Sequence, residues 1–361
     1  MRVLHVSAGA MWGGVERALV TLARERAYAP EMQPHFAVCF RGRLSQELRM
    51  AGAAVDYLGE VRASRPFTVV RARKALRTVL AQERIDVAVC HLPWAHAIFA
   101  PVLRQAGVPV AFWMHGFATG RHWTERWARL TAPALTIANS QATARTAPLL
   151  FPHTRTEVVR VPVTLAPEPR AEVPGRIVQV SRMEPWKGHL LHLAALALLK
   201  DDARWTCRFV GGAQTRAEEA YMLKLHGRAE QLGLRERVEF LGQRSDVEGQ
   251  LAEASVFCQP NTGPEAFGIS LVEALAAGVP LVTTRLGAAP EIIDETCGIL
   301  TAPGNAHALA EALQTLLNDH TLRARLGAAG PARAAALCSP ERQVPALARL
   351  LATVKLERQA P

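Results

Sequence analysis

Two acids eight positions apart, Glu265 and Glu273, punctuate the stretch PNTGPEAFGISLVEALAAGVPLVTT, residues 260–284. On one continuous helix they would stand about 12 Å apart along the axis, too far to share a proton. Pro264 and Gly263 stop any incoming helix. Ile269, Val272, Leu275 and Ala276 then recur at helical spacing, and Gly278 and Pro280 close the run. Glu265 is therefore expected on a loop, and Glu273 one to two turns into a helix over 268–277. The amides of Phe267, Gly268 and Ile269 would face the space between the acids. A helix N-terminus with unpaired N–H groups and partial positive charge suits a phosphate. Two solvated acids at a helix end would account for the same residues. VPLVTT, which follows, reads as a buried parallel strand.

A second cluster, VSRMEPWKGH, sets Arg182 and Lys187 five positions apart across a loop containing Pro185. Both side chains can aim at one point, with Lys187 opening the next helix. Two cations and a helix start suit a diphosphate, although exposed surface cations are the default for these residue types. No D-x-D run occurs, since Asp201–Asp202 falls at a helix end, so no metal is expected to neutralise the diphosphate. His91 and His96 are five apart, the wrong step for one helix face, and suggest no metal site.

These residues need elements to hold them. Strand candidates RVLHVSA, HFAVCF, AAVDYL, DVAVCH, VPVAFWMH and LTIANS alternate with helical stretches at 13–26, 44–50, 68–81, 95–105 and 121–130. The rhythm implies a doubly wound α/β domain with a parallel sheet, whose ligands bind at the carboxyl ends of strands. That rule singles out Gly13–Gly14, His115–Gly116 and Asn139–Ser140. A Gly13–Gly14 pair lets backbone approach a phosphate, yet an ordinary tight turn explains it as well, and it is not the G-x-G-x-x-G of nicotinamide enzymes. His115, ending its strand, is expected to serve function. Residues 162–175 are proline-dense and read as a linker. A second alternation follows: RIVQVS, a helix over 187–200, CRFVGG, a helix near 217–232, RVEFLG, a short helix near Val247, SVFCQ, then the stretch with both acids. The expected boundaries are 1–163 for the first domain, 164–174 for the linker, 175–340 for the second domain, and 341–361 for an amphipathic last helix.

The composition excludes several classes. The chain has 361 residues, a length for two domains. No apolar run approaches a membrane span of about 20 residues, and the N-terminus enters a strand without a signal-peptide pattern, so a cytoplasmic protein is expected. Cys39, Cys90, Cys207, Cys258, Cys297 and Cys338 are scattered with no C-x-x-C pair and read as core thiols. The net charge of +10 is compatible with nucleic acid, anionic lipid or an anionic small molecule. No aromatic-basic or zinc-finger pattern supports nucleic acid. Arg62, Arg65, Arg71, Arg73, Lys74 and Arg77 form an acid-free run, which reads as a solvated helix face, or as a surface for an anionic acceptor or for the inner face of a membrane. RHWTERWARL spaces Trp123, Trp127 and Leu130 helically; a core-facing tryptophan pair is expected over an interfacial helix.

Glu-x7-Glu within PEAFGISLVEALAAGVPLVTT, together with SR-x4-KG, resembles the signature of retaining GT-B glycosyltransferases, family 4 (glycosyl transferases group 1). The resemblance covers most of the chain and is strongest over 175–340. It implies the GT-B plan, two doubly wound Rossmann-like domains facing across a cleft, with the last helix crossing back to the first domain. It implies transfer of a hexose from a nucleoside-diphosphate sugar to a glycan or lipid-linked acceptor, with retention and without a metal, as in polysaccharide or glycoconjugate synthesis. UDP is favoured over GDP on family grounds alone. Arg182, Lys187 and the amides near Gly268 would stabilise the leaving diphosphate, with Gly13–Gly14 beside the donor phosphate. Glu273 would receive the ribose hydroxyls. Glu265 would hold the sugar hydroxyls with the backbone of Phe267 and Gly268, and His115 would lie beside the sugar. Gln243 and Arg244 would frame the base, and Gly211–Gly212 would line the same cleft. Two departures stand out: Ala288 where the family often has glycine, and Asn261 where serine is common. A nucleotide-sugar epimerase of the same fold, or a non-catalytic module binding a sugar nucleotide or an anionic surface, would share many of these features.

Overall fold

The computed structural model describes residues 1–165 and 170–357. Residues 166–169 of the expected linker and 358–361 of the expected last helix lie outside them. The chain divides into two compact units, Met1–Thr164 with Cys338–Pro361, and Leu165–Leu337.

In the first unit the strands are β1 (Arg2–Ser7), β2 (Gln33–Val38), β3 (Ala54–Tyr57), β4 (Val87–His91), β5 (Val110–Met114), β6 (Leu135–Ala138) and β7 (Thr156–Val158). They form one parallel sheet in the order β3-β2-β1-β4-β5-β6-β7. The central strands are apolar on both faces, as a sheet covered twice requires. Leu4, Val6, Ala88 and Cys90 pack toward the helices Pro66–Gln82 and Leu92–Gln105. Val3, Val87, Val89, Ala111 and Trp113 alternate onto the other face, against Leu22 and the Pro340–Glu357 helix, whose Val344, Leu347, Leu351 and Val354 are buried. That last helix packs on the first unit's sheet although it follows the second unit in sequence.

The second unit has β8 (Arg176–Val180), β9 (Thr206–Val210), β10 (Val238–Gly242), β11 (Val256–Gln259), β12 (Leu281–Thr284) and β13 (Gly298–Thr301), parallel in the order β10-β9-β8-β11-β12-β13. In each sheet the order reverses beside the first strand, between β1 and β4 and between β8 and β11. Loops leaving the carboxyl ends of those two strands flank a crevice suited to a ligand. Residues 171–173 are not free linker: the amides of Ala171 and Val173 donate to the carbonyls of Ala252 and Glu253.

β7 has only three residues, too few to show a period, and β13 opens on Gly298, a weak strand signal. The expected core-facing tryptophan pair is split. In the short Trp123–Ala128 helix Trp127 packs inward, whereas Trp123 is 52% exposed. All six cysteines are buried, as core thiols would be. Replacing the fully buried Leu351 by alanine should destabilise the first unit by about 2–5 kcal/mol. A drop in its melting temperature would show this, and an unchanged one would mean that the last helix does not support the sheet.

Candidate active site

The loops after β8 and β11 bring two distant residues together. Lys187 Nζ lies 2.7 Å from Glu265 Oε2, with side chains only 13% and 7% exposed. Glu265 sits on the loop before the Ile269–Ala276 helix, and Glu273 is one turn into that helix and half-buried. The Glu265 carboxylate also accepts from Asn261 Nδ2 at 3.0 Å and Gln259 Nε2 at 3.3 Å, and from the Phe267 amide. Burial pushes this carboxyl up, but the Lys187 charge and these hydrogen bonds outweigh it and hold it below its ordinary value. Asn261, a departure from the family's serine, is thus a direct support of the carboxylate. Phe267 N–H points at Glu265, so contrary to expectation it is not free for a phosphate. Gly268 caps the helix, which begins at Ile269.

The backbone on each side is pinned. Lys187 does not open a helix; it ends a 3₁₀ turn, Pro185–Lys187, and the helix starts at His189. Between them Gly188 has φ +77°, and a Cβ there would sit 1.8 Å from the Pro260 carbonyl oxygen, so only glycine lets the two loops touch. Beneath, buried Gln179 donates to the Lys187 carbonyl at 3.0 Å and accepts from His192 Nδ1 at 2.8 Å. On the other side Gly287 (φ +59°) bridges to Glu265, and the Ala288 amide donates to the Glu265 carbonyl at 2.7 Å. Ala288, the second departure from the family, acts here through its backbone.

Arg182 and Lys187 are held by different acids. Arg182 pairs with Glu218, which is buried, and with Glu184 at 3.5 Å. Glu218 is an N3 residue capping its own helix through the amides of Gln214 and Thr215. The spacing Thr215-x-x-Glu218 is a legible capping box, but its reach to Arg182 is tertiary. Gly211 and Gly212 lie in this neighbourhood: the Gly211 amide donates to the Gly242 carbonyl, a Cβ at Gly211 would meet Ser181, and one at Gly212 would meet Gln243. Arg244 is exposed and tied to Asp246 at 2.8 Å. Trp186 was not anticipated; its ring lies 4.0 Å from Lys187 Nζ.

In the first unit Gly13 caps the Gly14–Arg24 helix, and Glu16 stands in that helix's first turn, 3.5 Å from where a Gly13 Cβ would be. This places a carboxylate beside the amides expected to meet a phosphate. His115, just after β5, belongs to a chain of side chains: His115 Nε2 to His91 Nδ1 at 2.8 Å, and His91 Nε2 to His5 Nδ1 at 3.0 Å. Burial, then the nearby His5, pushes His115 down to about 3, and burial alone does the same for His5.

Residues 165–333 match the family described as Glycosyl transferases group 1, and residues 12–166 that described as Glycosyltransferase Family 4. A phosphatidyl-myo-inositol mannosyltransferase of Mycobacterium leprae is 46% identical over 101 residues, 27% of each chain. An MMP alpha-(1->4)-mannosyltransferase of Mycolicibacterium hassiacum is 29% identical over 286 residues, 74% of this chain and 66% of that one. The chain thus spans only about a quarter of the length of the M. leprae relative. The crystal structure of Anabaena HepE in complex with UDP and glucose matches with a TM-score of 0.84 at 23% identity, over 98% of this chain and 99% of that one.

The Glu265–Lys187 pair sets an expected outcome. Glu265→Gln leaves a buried ammonium without its counter-charge and should cost about 3–5 kcal/mol, most of it recovered in the double variant with Lys187→Met. Because the Glu265 carboxyl is held below its ordinary 4.5, the pair stabilises fully above that pH and the contribution is lost as pH falls through the folded value. Urea unfolding across pH checks both. An undiminished acid loss in the double variant would place its origin elsewhere.

Proposed function

The chain belongs to the family 4 glycosyltransferases (glycosyl transferases group 1) with the GT-B fold, and on that premise we propose that it moves a hexose from a nucleoside-diphosphate sugar to a glycan or lipid-linked acceptor with retention of configuration. The observation that carries the reading is the buried Lys187–Glu265 pair at the point where the second sheet's order reverses, beside the start of the Ile269–Ala276 helix. UDP is the favoured nucleotide; HepE of Anabaena, whose fold this chain shares, is described in complex with UDP and glucose.

As the bond between sugar C1 and the diphosphate oxygen breaks, negative charge grows on the leaving group. Lys187 and Arg182 supply positive charge there, and the first turn of the helix supplies amide dipoles. This is the work a metal would otherwise do, and we propose that none is required. Glu265, held ionised, accepts hydrogen bonds from the sugar hydroxyls and Glu273 from the ribose. A leaving phosphate oxygen takes the acceptor hydroxyl's proton as that hydroxyl's oxygen bonds C1 from the same face, so no enzyme nucleophile is needed. Gly211, Gly212 and Gln243 stand beside the Arg182 loop and are assigned to the nucleotide, as is Arg244. For His115 we propose contact with the transferred sugar, and for Gly13–Gly14 with the donor phosphate, as the resemblance implies.

A peripheral contact with anionic lipid is part of the same proposal. On the Pro66–Gln82 helix, Phe67 and Val70 are exposed to 66% and 65% beside exposed Arg71, Lys74 and Arg77, an apolar and basic face suited to an interface. No described helix is long and apolar enough to cross a membrane.

Two measurements test these readings. A nucleotide sugar at 100 times its Kd should stabilise the protein by about 2.7 kcal/mol. Lys187→Ala should abolish that shift, and Arg182→Ala should lower kcat by about 10²–10³; a shift that survives Lys187→Ala puts the phosphate elsewhere, and donor binding without turnover on any acceptor removes the transfer reading. Sedimentation with phosphatidylglycerol vesicles should fall when Arg71, Lys74 and Arg77 become glutamate, and equal sedimentation of both proteins would dismiss the lipid contact.

A further inference from the structure

The histidine chain in the first unit has a direction, and one tryptophan sets it. An indole N–H can only donate. Trp113 Nε1 lies 2.7 Å from the Asn139 side-chain oxygen, so that atom accepts and the Asn139 amide nitrogen must donate. Asn139 Nδ2 faces His115 Nδ1 at 3.3 Å. That nitrogen therefore carries the lone pair, and a neutral His115 has its proton on Nε2. The proton points at His91 Nδ1, which accepts; the His91 proton then lies on Nε2 and points at His5 Nδ1, which accepts in turn. His5 is left with its proton on Nε2, a buried atom with no partner among the described residues.

The opposite direction can be weighed against this one. It would set two donors against each other at the Asn139–His115 contact and leave a lone pair unmet at His5. The inward direction leaves one unmet donor. An unpaired buried donor costs roughly 1–3 kcal/mol, and an unmet acceptor less, so two facing donors outweigh one. All three rings are neutral at ordinary pH, because burial disfavours the imidazolium of each, so each contributes one proton and one lone pair to the chain. Ring contacts fix their order: His91 and His115 stack at 5.1 Å, and Trp113 stacks on His115 at 5.3 Å.

We propose that Trp113 and Asn139 position His115 as a neutral imidazole protonated at Nε2, so that its Nδ1 meets a hydroxyl of the transferred sugar as an acceptor. This rests on the reading that His115 serves that sugar. The Asn139 contact at 3.3 Å is the longest link of the chain, and it is the one a sugar hydroxyl can displace. His115 then gives no proton to the reaction. Trp113, Asn139, His91 and His5 act through it as positioning residues. The adjoining Leu92, a non-glycine residue at φ +69°, is strained where it follows His91, so the turn that carries the middle ring is held by its surroundings.

Nitrogen-15 spectroscopy of the full chain tests the inference without any substrate. In the wild type, long-range correlations should show His115 neutral, with the unprotonated shift at Nδ1 and the protonated shift at Nε2. Trp113→Phe keeps an aromatic ring and removes the N–H, so Asn139 can turn and the His115 pattern should become mixed. Asn139→Asp, an acceptor only, should move the His115 proton to Nδ1. Both variants are compared at matched circular dichroism, and each should lower kcat about tenfold, the value of one hydrogen bond of about 1.4 kcal/mol, with the donor KM changed less than about twofold. A wild-type His115 protonated at Nδ1, or one whose pattern is the same in Trp113→Phe, overturns the proposal. Loss of kcat without any change in the nitrogen pattern also overturns it. A wild type that shows the expected pattern and yet transfers no sugar leaves the tautomer standing and fells the transferase reading instead.

Discussion

The second unit is organised by the need to keep one ammonium and one carboxylate together away from water. Removing two such charges from solvent is costly, and their attraction offsets the cost only if the remaining valences are met. Around Lys187 and Glu265 they are met from several sides. Asn261, Gln259 and the Phe267 amide occupy the carboxylate, and the Trp186 ring lies against the ammonium. The backbone follows suit: Gln179 takes the Lys187 carbonyl, and Gly188 and Gly287 admit the neighbouring loops at distances no side chain allows.

The two units meet this need in the same topological place. The fourth residue of β1 is His5 and the fourth of β8 is Gln179; the last residue of β4 is His91 and the last of β11 is Gln259. Each is a buried polar side chain beside apolar neighbours in its strand, and each pair flanks the point where strand order reverses. Buried polar groups must be satisfied, so these strands carry hydrogen-bonded networks to the loops above them: Gln179 and Gln259 to the Lys187 and Glu265 loops, and His5 and His91 to His115. The apolar positions make the sheet, and the polar exceptions aim its loops.

Alternation of strand and helix was readable because each central strand is a short β-branched run and each helix has an apolar stripe. β7 was not, being shorter than two periods, nor was β13, which opens on a glycine, a weak strand signal. Site residues were readable by type and by position after a strand. Their partners were not, because pairing across 78 positions, Lys187 to Glu265, or 36, Arg182 to Glu218, is a product of sheet order. Glu218 illustrates the limit: its capping box is local and visible, and one oxygen of the same carboxylate is left over to hold Arg182. That Arg182 and Lys187 each already have an acid partner was hidden for the same reason. Cations near buried acids are drawn to them, and spacing along the chain does not report where those acids lie.

The pairing also changes what binding an anion involves. Were Arg182 and Lys187 bare, any small anion would gain by neutralising them. Here each is already matched, Lys187 by Glu265 and Arg182 by Glu218 and Glu184. A phosphate oxygen that reaches Lys187 competes with a carboxylate 2.7 Å away and gains only the difference between two similar interactions. Charge alone then discriminates weakly in favour of binding. A ligand gains most if it also gives the carboxylate something to hold, and a sugar hydroxyl donates to Glu265 while the attached phosphate takes the ammonium. One molecule that carries both groups at the right separation would satisfy both partners of the opened pair, whereas free phosphate would satisfy the ammonium and leave the carboxylate to Asn261, Gln259 and the Phe267 amide without a counter-charge. On the proposed function, selectivity for an activated sugar over inorganic anions would follow from the prior neutralisation of the site.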